Sequence, residues 1–125
     1  MTLEFTRRNF LRFTATSAAL VAASRNATAR HLFQGGKLRH AQVGVGGMGQ
    51  ADLGQISGHP DIQVVALCDV DAGRLAEAAK LHPDARTFAD WREMFQEMAT
   101  EIDSVCVSTP DHMHAPITMT AMALG

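Results

Sequence analysis

The residues of this chain with the clearest chemical potential are a set of spaced glycines and one carboxylate. Gly44-Val45-Gly46-Gly47-Met48-Gly49 matches the pattern G-x-G-x-x-G. Where such a turn joins a strand to a helix, the first glycine permits a tight turn and the second lets the backbone come close to a pyrophosphate. The third lets the helix pack closely on the strand. Gly47 and Met48 fall at the helix start, where free N–H groups and a partial positive charge face the phosphates. Asp69 lies twenty residues after Gly49, at the end of a second strand, where a carboxylate can accept hydrogen bonds from ribose hydroxyls. A 2′-phosphate beside it would be repelled by about 4 kcal/mol per charge pair at a surface-like dielectric. NAD is therefore expected rather than NADP, although Arg74 would soften that preference if it turned toward the ribose. Flavins and S-adenosylmethionine use similar glycine turns and stay open as alternatives on these residues alone.

The frame that must hold these residues is legible in the alternation of short apolar runs with segments of helical spacing, the signature of βαβ units and a parallel sheet. Strands are expected at 39–45, 62–68, 86–88 and 102–108. Helices are expected at 48–57, 72–81 and 91–99, and a last one from about Ala115-Pro116, with Pro116 in its first turn. Asp71 is placed to cap the second helix, whose inner face is assigned to Leu75, Ala76 and Ala79. Asp90 and Glu93 form a capping-box-like start to the third, whose stripe Trp91, Met94, Phe95 and Met98 reads as core. Cys68 and Cys106 lie in apolar runs and read as buried thiols. Gln42, with His40, is a polar exception in the first strand. The expected fold is α/β, a Rossmann-like parallel sheet of order 3-2-1-4 with flanking helices, incomplete at its C-terminal end.

The loop Ser108-Thr109-Pro110-Asp111-His112-Met113-His114 comes after the fourth strand and so faces the same crevice. Asp111, His112 and His114 supply too few ligands for a zinc site, and no metal is expected. Together with the glycine turn and Cys68-Asp69-Val70-Asp71, the loop resembles the glucose-fructose oxidoreductase, inositol dehydrogenase and MocA (Gfo/Idh/MocA) family. Members show a Thr-Pro-(x)₃-His loop at this place, matched here by Thr109, Pro110 and His114. The resemblance runs from about Lys37 to Gly125, and it implies that this loop contacts the cofactor near its nicotinamide.

By the same resemblance, family members continue into a Glu-Lys-Pro segment, whose lysine serves proton transfer, and then into a substrate domain; neither lies in this sequence. No catalytic residue is therefore assigned, and the chain is expected to be part of a longer protein. Three activities stay open for that protein. They are an NAD-dependent oxidoreductase acting on a sugar or polyol, a glycosidase of the same fold that oxidises and re-reduces a sugar carbon, and a binding module without chemistry. A homo-oligomer is possible at full length.

Residues 1–29 read as an export signal. Arg7-Arg8 precedes Phe10-Leu11 and an uncharged stretch from Phe13 to Ala23, and Ala27-Thr28-Ala29 offers small residues for cleavage before Arg30. This resembles the twin-arginine pattern, a route that carries folded and often cofactor-loaded proteins, so a periplasmic or other extracytoplasmic location is expected. Residues 30–37 form a linker, and 38–125 the dinucleotide-binding domain. A net charge of −2 with 19% charged residues argues against a nucleic-acid surface. No run approaches the roughly 18 apolar residues of a membrane span.

Overall fold

The computed structural model describes residues 36–125 of the chain; the expected twin-arginine signal and the expected cleavage site before Arg30 lie outside the described residues. Residues Lys37–Gly125 form one compact unit. Its elements are β1 (Leu38–Val43), α1 (Met48–Ser57), β2 (Ile62–Cys68), α2 (Ala72–Leu81), β3 (Arg86–Phe88), α3 (Trp91–Met98), β4 (Ser104–Val107) and α4 (Asp111–Leu124). The sheet runs β3-β2-β1-β4, and all three pairings are parallel, as the sequence predicts. A parallel arrangement brings the C-terminal ends of β1, β2 and β4 to one edge, and with them the loops that begin at Gly44, Asp69 and Ser108.

The sheet is covered on both faces. Ala41, Val43, Ala66, Cys68 and Phe88 pack with Met94, Phe95 and Met98 of α3 and Ile117 of α4. The other cluster joins Val45, Val64 and Leu67 to Leu53 of α1 and Ala78 of α2. Between His40 and Ala41 the β1–β2 register slips by one residue, leaving Val65 extra in β2; this reverses the alternation, so Val64 and Leu67 share a face. Leu67 and Met94 are fully buried, and truncating such a side chain typically costs about 2–5 kcal/mol. Burial pushes the Cys68 thiol up to about 12, with Asp90 and Asp69 adding to the effect, so this cysteine is an inert core thiol.

Caps fix the helix entries. Asp71 Oδ1 accepts from the N–H groups of Gly73 and Arg74 at 2.9 and 3.0 Å, and Asp90 Oδ1 accepts from Arg92 N at 2.8 Å. Trp91 and Phe95 meet edge to face with centroids 6.0 Å apart, which confirms that stripe as core.

Four expectations are corrected. Strand β1 ends at Val43 rather than Val45, because Gly44 adopts φ 85° and turns the chain. Strand β4 starts at Ser104 rather than Ile102, where pairing with His40 begins. The inner face of α2 includes Ala78 instead of Ala76, which is exposed, because the spacing i, i+3, i+4 from Leu75 is what one helical face presents. Helix α4 begins at Asp111, with Pro110 at the N-cap and Met113 N donating to Pro110 O at 2.9 Å. Pro116 therefore lies inside the helix, where its missing N–H leaves the His112 carbonyl without its helical donor. An acidic first turn at Asp111 favours the earlier start.

At the far edge of the sheet Arg39 and Asp103 bind β1 to β4. Arg39 Nε and Nη2 donate to the two carboxylate oxygens at 2.9 and 2.7 Å, and Arg39 N adds a third bond at 2.9 Å. Hydrogen bonding to Arg39 holds the Asp103 carboxyl below its ordinary value. A depressed folded value means stability that is present above the unfolded-state value of about 3.9 and lost as pH falls through the folded one. Asp103→Asn is expected to cost about 1 kcal/mol at pH 7, since the pair is partly exposed. Urea denaturation should show that gap closing as the pH is lowered toward about 3.

Candidate functional site

Three loops meet at the C-terminal edge of the sheet, and the glycine turn is the innermost. Gly44 N donates to Cys68 O at 2.8 Å. With φ 85° and the Ser108 backbone directly against its α-carbon, Gly44 has no room for a side chain. The Gly44–Val45 peptide is held at both ends: Val45 N donates to Asp69 Oδ2 at 2.9 Å, and Gly44 O accepts from Gln42 Nε2 at 3.1 Å. Gly47 (φ 56°) opens α1 without a side-chain cap, and the space around its α-carbon is clear. Met48 comes next, 75% exposed. Gly49 is buried where α1 crosses β1, and a β-carbon there would overlap the Gly44 carbonyl.

Asp69 does more than its predicted role requires. Its Oδ2 holds the glycine turn, and its Oδ1 accepts from Asp71 N at 2.9 Å. A carboxylate has about four acceptor positions, so ribose hydroxyls can share it. Arg74, at the start of α2, lays its side chain over Gly46 and reaches Asp71 at 3.7 Å. Arg74, Asp71, Val45, Gly46, Gly47 and Gln50 line a cleft of about 610 Å³ between α1 and α2.

The third loop is tied to the first. Ser108 N donates to Val43 O at 2.8 Å, and Ser108 Oγ donates to Asp52 Oδ2 of α1 at 2.7 Å. Thr109 is next, with its Oγ1 buried and without a protein partner. Pro110 caps α4, and His114 lies in the early turns of that helix rather than in a loop. Its Nε2 contacts Thr109 O at 2.5 Å; a carbonyl only accepts, so that nitrogen carries the proton. The structure thus gathers Gly44 to Gly49, Asp69, Arg74 and Thr109 at one edge, with Pro110 and His114 fixing the path of the loop. Asp52 and Ser108 belong to the site as well, and nothing local in the sequence marks them. Asp52 reads as an ordinary polar position on a helix, and its partner is 56 residues away.

A parallel sheet with a glycine turn, an acid after β2 and a loop after β4 at one edge defines a dinucleotide-binding Rossmann domain. The sequence profile of the Gfo/Idh/MocA group, described as an oxidoreductase family with an NAD-binding Rossmann fold, matches residues 38–125. The chain belongs to this family, and the matched residues are its NAD-binding domain. A glycosyl hydrolase family 109 protein of Stenotrophomonas maltophilia is 31% identical over 95% of this chain and 28% of its own length. An alpha-N-acetylgalactosaminidase of Tannerella forsythia is 26% identical over 98% of the chain and 31% of its own. This chain thus spans about three tenths of the length of these relatives. Among solved structures, scyllo-inositol dehydrogenase of Lactobacillus casei with NAD(H) and scyllo-inositol superposes with a TM-score of 0.65 at 23% identity, over 71% of this chain and 26% of that one. The WlbA dehydrogenase of Bordetella pertussis, in complex with NADH and UDP-GlcNAcA, gives 0.63 at 26% identity, over 71% and 27%.

Proposed function

We propose that this chain is the NAD-holding part of an exported oxidoreductase acting on a sugar or polyol. The observation that carries this reading is the locked glycine turn: the Asp69 carboxylate placed for a ribose is the same group that fixes Val45 N–H. Bound NAD would supply a nicotinamide carbon that takes or gives a hydride. Around it, Gly46, Gly47, Met48 and Gly49 offer backbone at the start of α1 for the pyrophosphate, and Asp69 receives the ribose hydroxyls and disfavours a 2′-phosphate. Arg74, lying over Gly46, closes the outer side of the same turn. The buried, unpartnered Thr109 Oγ1 is a polar atom that a cofactor group would satisfy, and His114 holds the Thr109 carbonyl in place.

The sugar or polyol substrate is supported by the dehydrogenases of similar fold, one with scyllo-inositol and one with UDP-GlcNAcA. The names of the sequence relatives fit the second reading, a glycosidase in which the same NAD site serves oxidation and re-reduction of one sugar carbon. In the full-length protein, substrate-dependent formation of reduced NAD supports the oxidoreductase. Release of an aglycone with no net change in NAD supports the glycosidase and rejects the first reading. Export is supported by Arg7-Arg8 and the uncharged stretch after them. Replacing both arginines by lysine is expected to leave the protein in the cytoplasm, and unchanged export would reject that route.

A further inference from the structure

Beneath the glycine turn the first strand carries a buried polar chain that reaches the Gly44 carbonyl and the Ser108 hydroxyl. Gln42 is fully buried and His40 nearly so, on the central strand of the sheet, where apolar residues are the rule. Their bonds run in one direction. Gln42 Nε2 donates to Gly44 O and to Ser108 Oγ, both at 3.1 Å, and Ser108 Oγ passes its own proton to Asp52 Oδ2 at 2.7 Å. On the other side Gln42 Oε1 faces His40 Nε2 at 3.4 Å, and His40 Nδ1 meets Ser104 Oγ at 2.9 Å. Because the Gly44 carbonyl only accepts, the amide must present its NH₂ there. His40 Nε2 then carries a proton toward Oε1. Burial keeps the His40 pKa below its ordinary value, in keeping with a neutral ring.

We propose that Gln42 is a positioning residue for the dinucleotide: from beneath the turn it fixes the Gly44 carbonyl while Asp69 fixes the Val45 N–H, so the peptide between them is set before the pyrophosphate arrives. The inference rests on the NAD-binding reading of the turn and deepens it. Gly44 has a backbone free to take many conformations, and a turn that had to be ordered on binding would bind more weakly. Ser108 anchors Gln42, and Asp52 anchors Ser108. The same relay thereby ties the loop after β4 to the glycine turn. A polar break in an otherwise apolar strand is where a functional requirement is expected to override the local packing preference.

The test is titration of NAD and of adenosine, by calorimetry or by NMR, into the wild-type chain, Gln42→Leu and Ser108→Ala. Leucine fills a similar volume and cannot donate or accept; with His40 Nε2 left unpartnered, its melting temperature is expected to fall by about 5–20 °C with the domain still folded. NAD affinity should fall about tenfold in Gln42→Leu and about threefold in Ser108→Ala. Adenosine, which lacks the pyrophosphate, should change less than about twofold in both. Equal weakening of NAD and adenosine would assign Gln42 a merely structural role and overturn the inference. Unchanged NAD affinity in the folded variants would also overturn it. If Gln42→Leu does not fold, Ser108→Ala decides by the same criterion. A wild-type chain that binds no NAD would instead reject the dinucleotide reading itself.

Discussion

Gly49→Ala is expected to remove most of the NAD affinity with a single methyl group. The added β-carbon would overlap the Gly44 carbonyl, and neither partner can easily give way. Gly44 sits at the end of the central strand, bonded through its N–H to Cys68 and through its oxygen to Gln42. The helix start must therefore move outward, carrying with it the N–H groups of the first turn. Overpacking of this kind costs about 1–3 kcal/mol, and the misplaced helix start should weaken NAD at least about 100-fold, since the phosphate contacts depend on that position. Gly54→Ala supplies the contrast. The same substitution, further along α1, meets nothing within 4 Å, and it should stabilise the helix by roughly 0.5–1 kcal/mol with NAD affinity unchanged. Chemical denaturation and NAD titration of the two variants read both effects. Equal behaviour of the two would show that the close approach of α1 to β1 is not what Gly49 serves.

Asp69→Asn is expected to change cofactor choice as well as affinity. The wild-type carboxylate accepts from Val45 N on one oxygen and Asp71 N on the other. In the amide, one of these N–H groups faces an NH₂ instead. A half-buried donor left without its acceptor costs about 1–3 kcal/mol, and the loosened turn should weaken NAD about tenfold or more. NADP should lose less. The negative charge that repels a 2′-phosphate, by about 4 kcal/mol per charge pair before salt screening, is gone, while Arg74 stays within reach of the turn. The ratio of NAD to NADP affinity should therefore drop at least about tenfold. A ratio unchanged in Asp69→Asn would mean that another group sets the preference.

How much of the molecule is legible in the sequence depends on physical range. The alternation of apolar runs predicts a parallel sheet with flanking helices, and the glycine spacing, the Asp71 cap and the Trp91 to Met98 stripe depend on neighbours within a turn or two of chain. All four appear in the structure. The start of α4 differs from expectation because Pro116 fits a first turn equally well as a local signal; the competing signal, Pro110 with Asp111 after it, prevails. Ala78 replaces Ala76 on α2 because small residues on both sides make the apolar face ambiguous from the pattern. The polar chain beneath the turn is visible in the sequence only as an anomaly at Gln42 and His40. Its partners Ser104, Ser108 and Asp52 come from β4, the loop after it and α1. The serines lie 64 residues from His40 and 66 from Gln42, and only the folded sheet brings them together. The same holds for Asp69, whose ribose role the spacing suggests and whose grip on Val45 it does not.

The assignment of Gly46 to Gly49 to the pyrophosphate of NAD, and of Asp69 to its ribose, is read out by the backbone amide resonances of the chain as NAD is added. The largest shifts are expected on Val45 to Gly49, with further shifts at Asp69 and at Thr109 to His114, whereas adenosine alone should move Asp69 and leave Gly46 to Gly49 largely in place. Shifts concentrated on other segments, with the glycine turn unmoved at saturating NAD, would contradict it.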